Sequence, residues 1–316
     1  MKLKYIIPIL IILSVLSVFI GVVPLNPSDL FSLSEQQIQI IWISRVPRLL
    51  SIMMAGFGLS ICGLIMQQLS RNKFVSPTTA GTMDSARFGI LIAMMLFGSA
   101  TPMQRMLVAF IFSLVGTFIF MKVLDKIKFR DPVFIPLVGL MFGSIINSIT
   151  TFFAYQNDLI QDMASWLQGN FALILQGRYE MLYMSIPLVI FAYVFANRFT
   201  IAGLGEDFSK NLGLNYRLVV NVGLTMVALI TSVVLLTVGM IPFLGLIVPN
   251  LVSIYHGDHL KNSLPHTALL GATFLLACDI LGRVIIFPYE IAIGVVVGVI
   301  GSFIFLYLVM RRNVYE

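Results

Sequence analysis

Apolar residues run in long blocks along this chain of 316 residues, with short polar breaks between them. The blocks centre on residues 5–23, 46–68, 78–97, 105–124, 132–154, 181–199, 218–238, 240–256, 265–282 and 289–310. Crossing about 30 Å of hydrocarbon takes about 20 apolar helical residues, a length that these blocks approach or exceed. The pattern predicts an all-α polytopic membrane protein of about ten transmembrane helices, a single domain over residues 1–316. The weakest break is Gly239-Met240-Ile241-Pro242, which holds no charge. Read as a turn it gives ten spans, and read as a kink, nine.

Three polar stretches interrupt the blocks at greater length than a connection needs. Residues 24–44, with Asp29, Glu35 and several Gln, read as an extended linker. Residues 155–180 hold Asp158, Asp162 and Trp166, and the amphipathic stretch Leu159 to Leu167 predicts a short helix at the outer mouth. Residues 200–217 are polar and free of proline. Here Phe208 and Leu212 stand four apart, on one face of a helix, with charges beside them. A short amphipathic helix with exposed apolar residues predicts a docking element.

Composition agrees with lipid as the solvent: 59% of residues are hydrophobic and 11% charged, against about a quarter charged in a soluble domain. No polar stretch is long enough for a second, soluble domain. Lys2 and Lys4 precede the first block in the manner of a secretory signal, but the block is longer than an h-region and lacks a small-x-small cleavage site. It reads as a retained helix. Cys62 and Cys278 lie inside apolar blocks and read as packing residues.

Placing both termini in the cytoplasm puts Lys2, Lys4, Arg71, Lys73, Lys122, Lys126, Lys128, Arg130, Arg198, Lys210, Arg217, Lys261, Arg311 and Arg312 on the inner side. Arg45, Arg48, Arg87, Arg105, Arg178 and Arg283 are left outside or within spans, fourteen against six, as the positive-inside rule requires. The net charge of +6 is thus a topology signal, spread over short loops rather than gathered for nucleic acid. The chain has no G-x-x-x-x-G-K-[ST] phosphate loop, so work from ATP must reach it through a partner.

Several stretches then match a known family in order. Arg45-Val46-Pro47-Arg48 is followed by Ala55-Gly56-x-Gly58-Leu59-x-x-x-Gly63-x-x-x-Gln67 and by Arg71-Asn72-Lys73-Phe74-Val75-Ser76-Pro77. Gly205-Glu206-Asp207 through Leu212-Gly213 comes next. Gly239-x-Ile241-x-Phe243-x-Gly245-Leu246-Ile247-Val248-Pro249-Asn250 then runs on to Gly257-Asp258-His259, Asp279, Arg283, Glu290 and Ile293-Gly294. The chain resembles the permeases of iron-siderophore, haem and vitamin B12 ABC importers, and within them the Bacillus-type siderophore permeases, with a petrobactin system nearest. It departs from the family in having Asn250 where His is usual, Ile291-Ala292 where Leu-Pro is commoner, and Asp84 and Arg87 in a stretch often rich in Gly or Asn.

The resemblance implies a type II ABC importer permease fold without enzymatic activity or cofactor. It also implies a second permease subunit (identical or paralogous), two cassette ATPases, an extracytoplasmic substrate-binding protein and a ferric siderophore as cargo. It gives Arg45, Arg48 and Arg283 as the docking site for the binding protein, where guanidinium–carboxylate pairing suits reversible contact. Gly205, Glu206, Asp207, Phe208, Leu212 and Gly213 become the helix that couples to the ATPase. The pathway is lined by Ser144, Asn147, Ser148 and Thr151, with Trp166 at the mouth and an inner gate at Asn72, Phe74 and Pro77.

Other readings of the residues remain beside these. The outer arginines also suit partnership with Asp279 and Glu290, or anchoring to headgroups. Asp84 with Arg87, and Asp279 with Arg283, are spaced as ion pairs within the membrane, or as an ion relay in a secondary transporter. An ABC permease for a bare divalent metal would want acidic or His ligands along the path, and the polar run there is Ser, Asn and Thr. The pair His256 and His259 lacks further ligands nearby in sequence, so no metal site is assigned. A membrane-embedded enzyme ranks last, because no His/Asp constellation gathers inside a span.

Overall fold

A computed structural model describes residues 3–21, 23, 34–77, 81–97, 101–126, 134–177, 179–257 and 259–312. Residues 24–33 of the predicted linker, together with Lys2, Lys128, Arg130, Arg178 and Asp258, lie outside the described residues. The described chain is helical: α1 Leu3–Phe19, α2 Glu35–Ile40, α3 Val46–Leu69, α4 Thr82–Leu96, α5 Pro102–Lys126, α6 Phe134–Gln156 and α7 Ile160–Leu167. There follow α8 Ser185–Ala202, α9 Glu206–Asn211, α10 Tyr216–Val238, α11 Leu244–His256, α12 Leu260–Val284 and α13 Ile293–Arg312.

The second half of the predicted linker is helix. Ser34 opens it with a capping box, its hydroxyl accepting from the Gln37 amide (3.3 Å) while its own amide donates to the Gln37 side chain (2.9 Å). A π turn at Ile41–Arg45 joins α2 to α3, where Pro47 sits in the first turn and its missing N–H costs nothing.

Among the described residues, six helical stretches, not ten, are long and apolar enough by themselves to cross a membrane: Glu35–Leu69, Met103–Val123, Leu137–Gln156, Glu180–Ala202, Tyr216–Val238 and Leu260–Val284. Leu3–Phe19, Leu244–His256 and Ile293–Leu308 are shorter apolar helices. Helix α4 stops at 15 residues, and its start carries Asp84 and Arg87. The hydropathy blocks run past the helix ends because loop residues such as Met240 and Ile241 are as apolar as the helices they join.

Helix α3 is the axis of the bundle, buried along most of its length and packed by α8, α10, α11 and α12. Small residues permit this. A methyl group on Gly56 would stand 2.6 Å from the Ala272 Cα of α12, and one on Gly63 2.6 Å from the Gly245 Cα of α11. Both are far inside van der Waals contact, so backbone meets backbone.

The break at 239–242 is a turn. Helix α10 ends at Val238, Gly239 takes φ 92°, and α11 begins at Leu244. The turn's polar groups are satisfied by the strip following α7: Met240 N donates to Leu167 O (2.9 Å), and Asn170 N to Val238 O (2.9 Å). Gly294 N, at the head of α13, donates to Gly169 O (3.2 Å) and closes the same knot.

Candidate functional site

The three arginines read as a docking site meet at one end of the bundle, but with their charges turned inward. Arg48, on the first turn of α3, spans two acids. Its Nη2 lies 2.8 Å from Asp279 Oδ1, and its Nη1 donates to both carboxylate oxygens of Glu290 at 3.1 and 2.8 Å. Arg283 reaches Asp279 Oδ2 at 2.5 Å from one turn further along α12. The Asp279–Arg283 pair thus forms as its spacing predicts.

Arg45 and Arg283 also close the C-terminal end of α1. Arg45 donates to the carbonyls of Val18, Phe19 and Val23. Arg283 donates to those of Ser17 (2.9 Å) and Ile20 (2.8 Å) and to the Ser17 hydroxyl (2.6 Å). Last-turn carbonyls carry partial negative charge, which helps three cations live with two anions. Exposure is graded through the network: the Asp279 side chain keeps 2%, Arg283 4%, Arg48 13% and Glu290 24%. The carbonyl-capping role of Arg45 is absent from the sequence pattern, because its acceptors lie more than twenty residues away.

At another place, helix α9 is framed by Gly205 (φ 111°) and Gly213 (φ 75°), two backbone conformations that glycine adopts without strain. Lys210 pairs with Glu206 across one turn at 2.7 Å. Ser209, which sequence reasoning missed, is the buried anchor: its hydroxyl donates to Gly205 O (2.7 Å) and Ile201 O (3.0 Å). That fixes α9 to α8 and leaves Phe208 and Leu212 exposed at 53% and 58%, with Leu204 beside them.

The predicted gate segment is pinned to α11 and α13. Asn72 Oδ1 accepts from the Phe74 amide at 2.9 Å, making a local turn. Asn250, where the resembled family has His, donates from Nδ2 to Lys73 O and to Leu246 O, both at 2.7 Å. Lys73 Nζ lies 2.8 Å from Ser253 Oγ. The Phe74 ring meets Phe305 edge-on, 6.1 Å between centroids, and Pro77 lies against Gly245.

Helix α6 presents Ser144, Ser148 and Thr151 on an exposed side, with Asn147 at the margin facing α4. Asp84 lies in the field of Arg87, but the two make no direct salt bridge: Arg87 Nη1 donates to Asn147 Oδ1 at 2.8 Å, and the Asp84 carboxylate lies against Gly143. Spacing of three on a helix brings side chains near, but an acceptor on the facing helix competes better. Trp166 lies near the end of α7. It is half-buried on a cluster with Ile90, Met106 and Leu236, with the Arg105 guanidinium 5.8 Å from its ring.

Comparison with known proteins adds four findings. Residues 9–311 match the FecCD transport family. The chain is 66% identical over 315 residues to the petrobactin import system permease protein YclN of Bacillus subtilis, covering 100% of both chains. It is 37% identical to the petrobactin import system permease protein FatD of Bacillus anthracis, covering 96% of this chain and 90% of that one. Among solved structures, a metal-chelate type ABC transporter in an inward-facing conformation superposes with a TM-score of 0.82 at 23% identity, covering 98% of each chain. At that identity the likeness speaks for the fold.

Proposed function

This chain belongs to the FecCD transport family, and from that footing we propose that it is the transmembrane permease subunit of an ABC importer carrying ferric petrobactin across the cell membrane. The observation that carries the reading is 66% identity along the full chain to a petrobactin import permease. The chain makes and breaks no bond. It gives the cargo a path, and the energy arrives from outside.

The shorter helices α1, α4, α11 and α13 cross as well, supported by their neighbours, giving ten crossings with both termini in the cytoplasm. The charge distribution favours this orientation: fourteen Lys and Arg fall inside and six elsewhere. The conduit forms with a second permease, a copy or a paralogue, and two cassette ATPases drive it. The coupling element is α9. The Ser209 anchor and its packing hold it against α8 and α10, so a push on Phe208 and Leu212 is passed on to those helices.

The extracytoplasmic binding protein docks at the end that holds Arg45, Arg48 and Arg283. Of these, Arg48 is the one whose partner, Glu290, is accessible, so an incoming carboxylate meets the network there. Arg45 and Arg283 keep the platform in shape. Copurification of the chain with a cassette ATPase, followed by ATP hydrolysis stimulated by the loaded binding protein, tests the reading. Stimulation by ferric petrobactin, above that by other ferric chelates, is the expected result. A purified permease pair that concentrates iron chelate in vesicles lacking any ATPase would overturn it.

A further inference from the structure

We propose that Arg87 is a contact site within the conduit for the negative charge of the cargo, selecting anionic ferric chelates over neutral ones. The inference rests on the reading of the chain as an iron-chelate permease and assigns one of its residues a substrate-facing role.

Arg87 is a half-buried cation on α4 that makes no direct ion pair: among the described residues no carboxylate lies within salt-bridge distance of it. Asp84, one turn away, lies in the field of the guanidinium but makes no direct contact with it, its carboxylate set against Gly143. Of five guanidinium N–H donors, Nη1 uses one on Asn147 Oδ1 (2.8 Å), and Nε has no partner. Arg48 and Arg283 differ in being ion-paired, Arg48 with Asp279 and Glu290 and Arg283 with Asp279, although the Arg283 Nε also has no partner. A guanidinium without a direct ion pair inside a spanning segment is costly, and such residues face a wet cavity or a functional partner.

Position gives the cation a use. Arg87 reaches across to α6, where Asn147, Thr151, Ser144 and Ser148 occupy an arc of about 100° at the helical period. Ser144 and Ser148 donate their hydroxyls back to Leu140 O (2.8 Å) and Ser144 O (2.9 Å), which turns oxygen lone pairs outward. The face is therefore polar yet uncharged, and Arg87 supplies its one positive charge. Asn147, a neutral acceptor, orients the guanidinium without cancelling it.

The charge defines the ligand class. Iron(III) held by catecholates or by a citrate-type hydroxycarboxylate keeps net negative charge, whereas a ferric tris-hydroxamate is neutral. A fixed guanidinium stabilises the former in the conduit and is indifferent to the latter.

The test uses the complete importer in proteoliposomes with its loaded binding protein, measuring radio-iron uptake as ferric petrobactin alongside stimulated ATP hydrolysis. Arg87→Gln is expected to lower uptake per ATP hydrolysed about tenfold, and Arg87→Lys to stay within about threefold of the parent. Asn147→Asp places an anion on the guanidinium at nearly unchanged shape. It is expected to assemble normally and to lower uptake about tenfold as well, since the cargo then meets a cancelled charge. Parent-level uptake in Arg87→Gln or in Asn147→Asp would overturn the proposal. So would loss of uptake and stimulated hydrolysis together in both, which marks a role in folding alone. Failure of the parent complex itself to import ferric petrobactin is a different result, and it removes the functional reading instead.

Discussion

Asn250 Nδ2 and the carbonyl oxygen of Lys73 are 2.7 Å apart, joining α11 to the segment that follows α3. The second hydrogen of the same amide is held by Leu246 O, so Asn250 is a clamp between its own helix and a loop. Asn250→Leu keeps the branching at Cγ and removes both bonds. Each is worth about 1 kcal/mol, with more lost if the Lys73 carbonyl is left without a partner. The loop then detaches before the helices do. A cysteine placed at Phe74 is expected to react several-fold faster with a membrane-impermeant thiol reagent in inside-out vesicles once Asn250 is Leu. Equal rates would refute the clamp.

The charge network at the other end makes a graded prediction. Asp279 holds both Arg48 and Arg283 and keeps 2% of its side chain exposed. Asp279→Asn leaves two buried cations short of an anion, a loss of about 3–5 kcal/mol for a broken buried pair. Glu290→Gln touches a partly exposed pair, and the cost is about 1 kcal/mol or less. Thermal unfolding in detergent should therefore fall sharply for Asp279→Asn and little for Glu290→Gln, with binding-protein affinity altered mainly in the latter.

Phe208 and Leu212 bear on association rather than on folding, because both are more than half exposed. Phe208→Ala with Leu212→Ala should leave expression and melting unchanged. Apolar anchors at an interface typically contribute about 1–2 kcal/mol each, so recovery of the ATPase in copurification is expected to drop at least tenfold. Ser209→Ala acts differently, since its hydroxyl bonds hold α9 in place. It should weaken stimulated ATP hydrolysis more than it weakens binding of the ATPase.

Packing of the axis helix can be tested with one methyl group. Gly63→Ala drives a Cβ into the Gly245 carbonyl of α11, with no flexible side chain to move aside. Overpacking of this kind costs about 1–3 kcal/mol. Gly298→Ala is the control, since its methyl would find Pro242 Cγ at a comfortable 3.6 Å. Melting temperature should drop for the first and hold for the second.

Local features of this molecule are readable from its sequence where one helical period contains the whole contact. Phe208 with Leu212, and Asp279 with Arg283, are of that kind, and the helix Ile160–Leu167 follows its amphipathic pattern. The start of α2 was within reach too, because Ser34-Glu35-Gln36-Gln37 is a capping box in plain sequence, obscured by the polar residues around it. Contacts between distant segments are not readable in this way. Arg87 prefers an amide 60 residues away to a carboxylate three residues away, and Trp166 turns onto α5 and α10. Nothing in spacing along one helix states what the facing helix offers. Each of the four shorter helices is outrun by its apolar block, because apolar loop residues such as Met240 carry the block past the helix end.

Helix α1 shows most of its surface to the outside, touching the bundle through Ile6, Leu10 and Ser17. What holds it is the carbonyl crown at its far end, gripped by two guanidinium groups. Its 17 residues, about 25 Å of helix, are therefore measured out by where those cations wait, and not by the thickness of the bilayer. Inserting or deleting a single residue near residue 19 would rotate the crown by about 100° and strand both arginines, whereas the same change near residue 5 would merely shift a greasy tip.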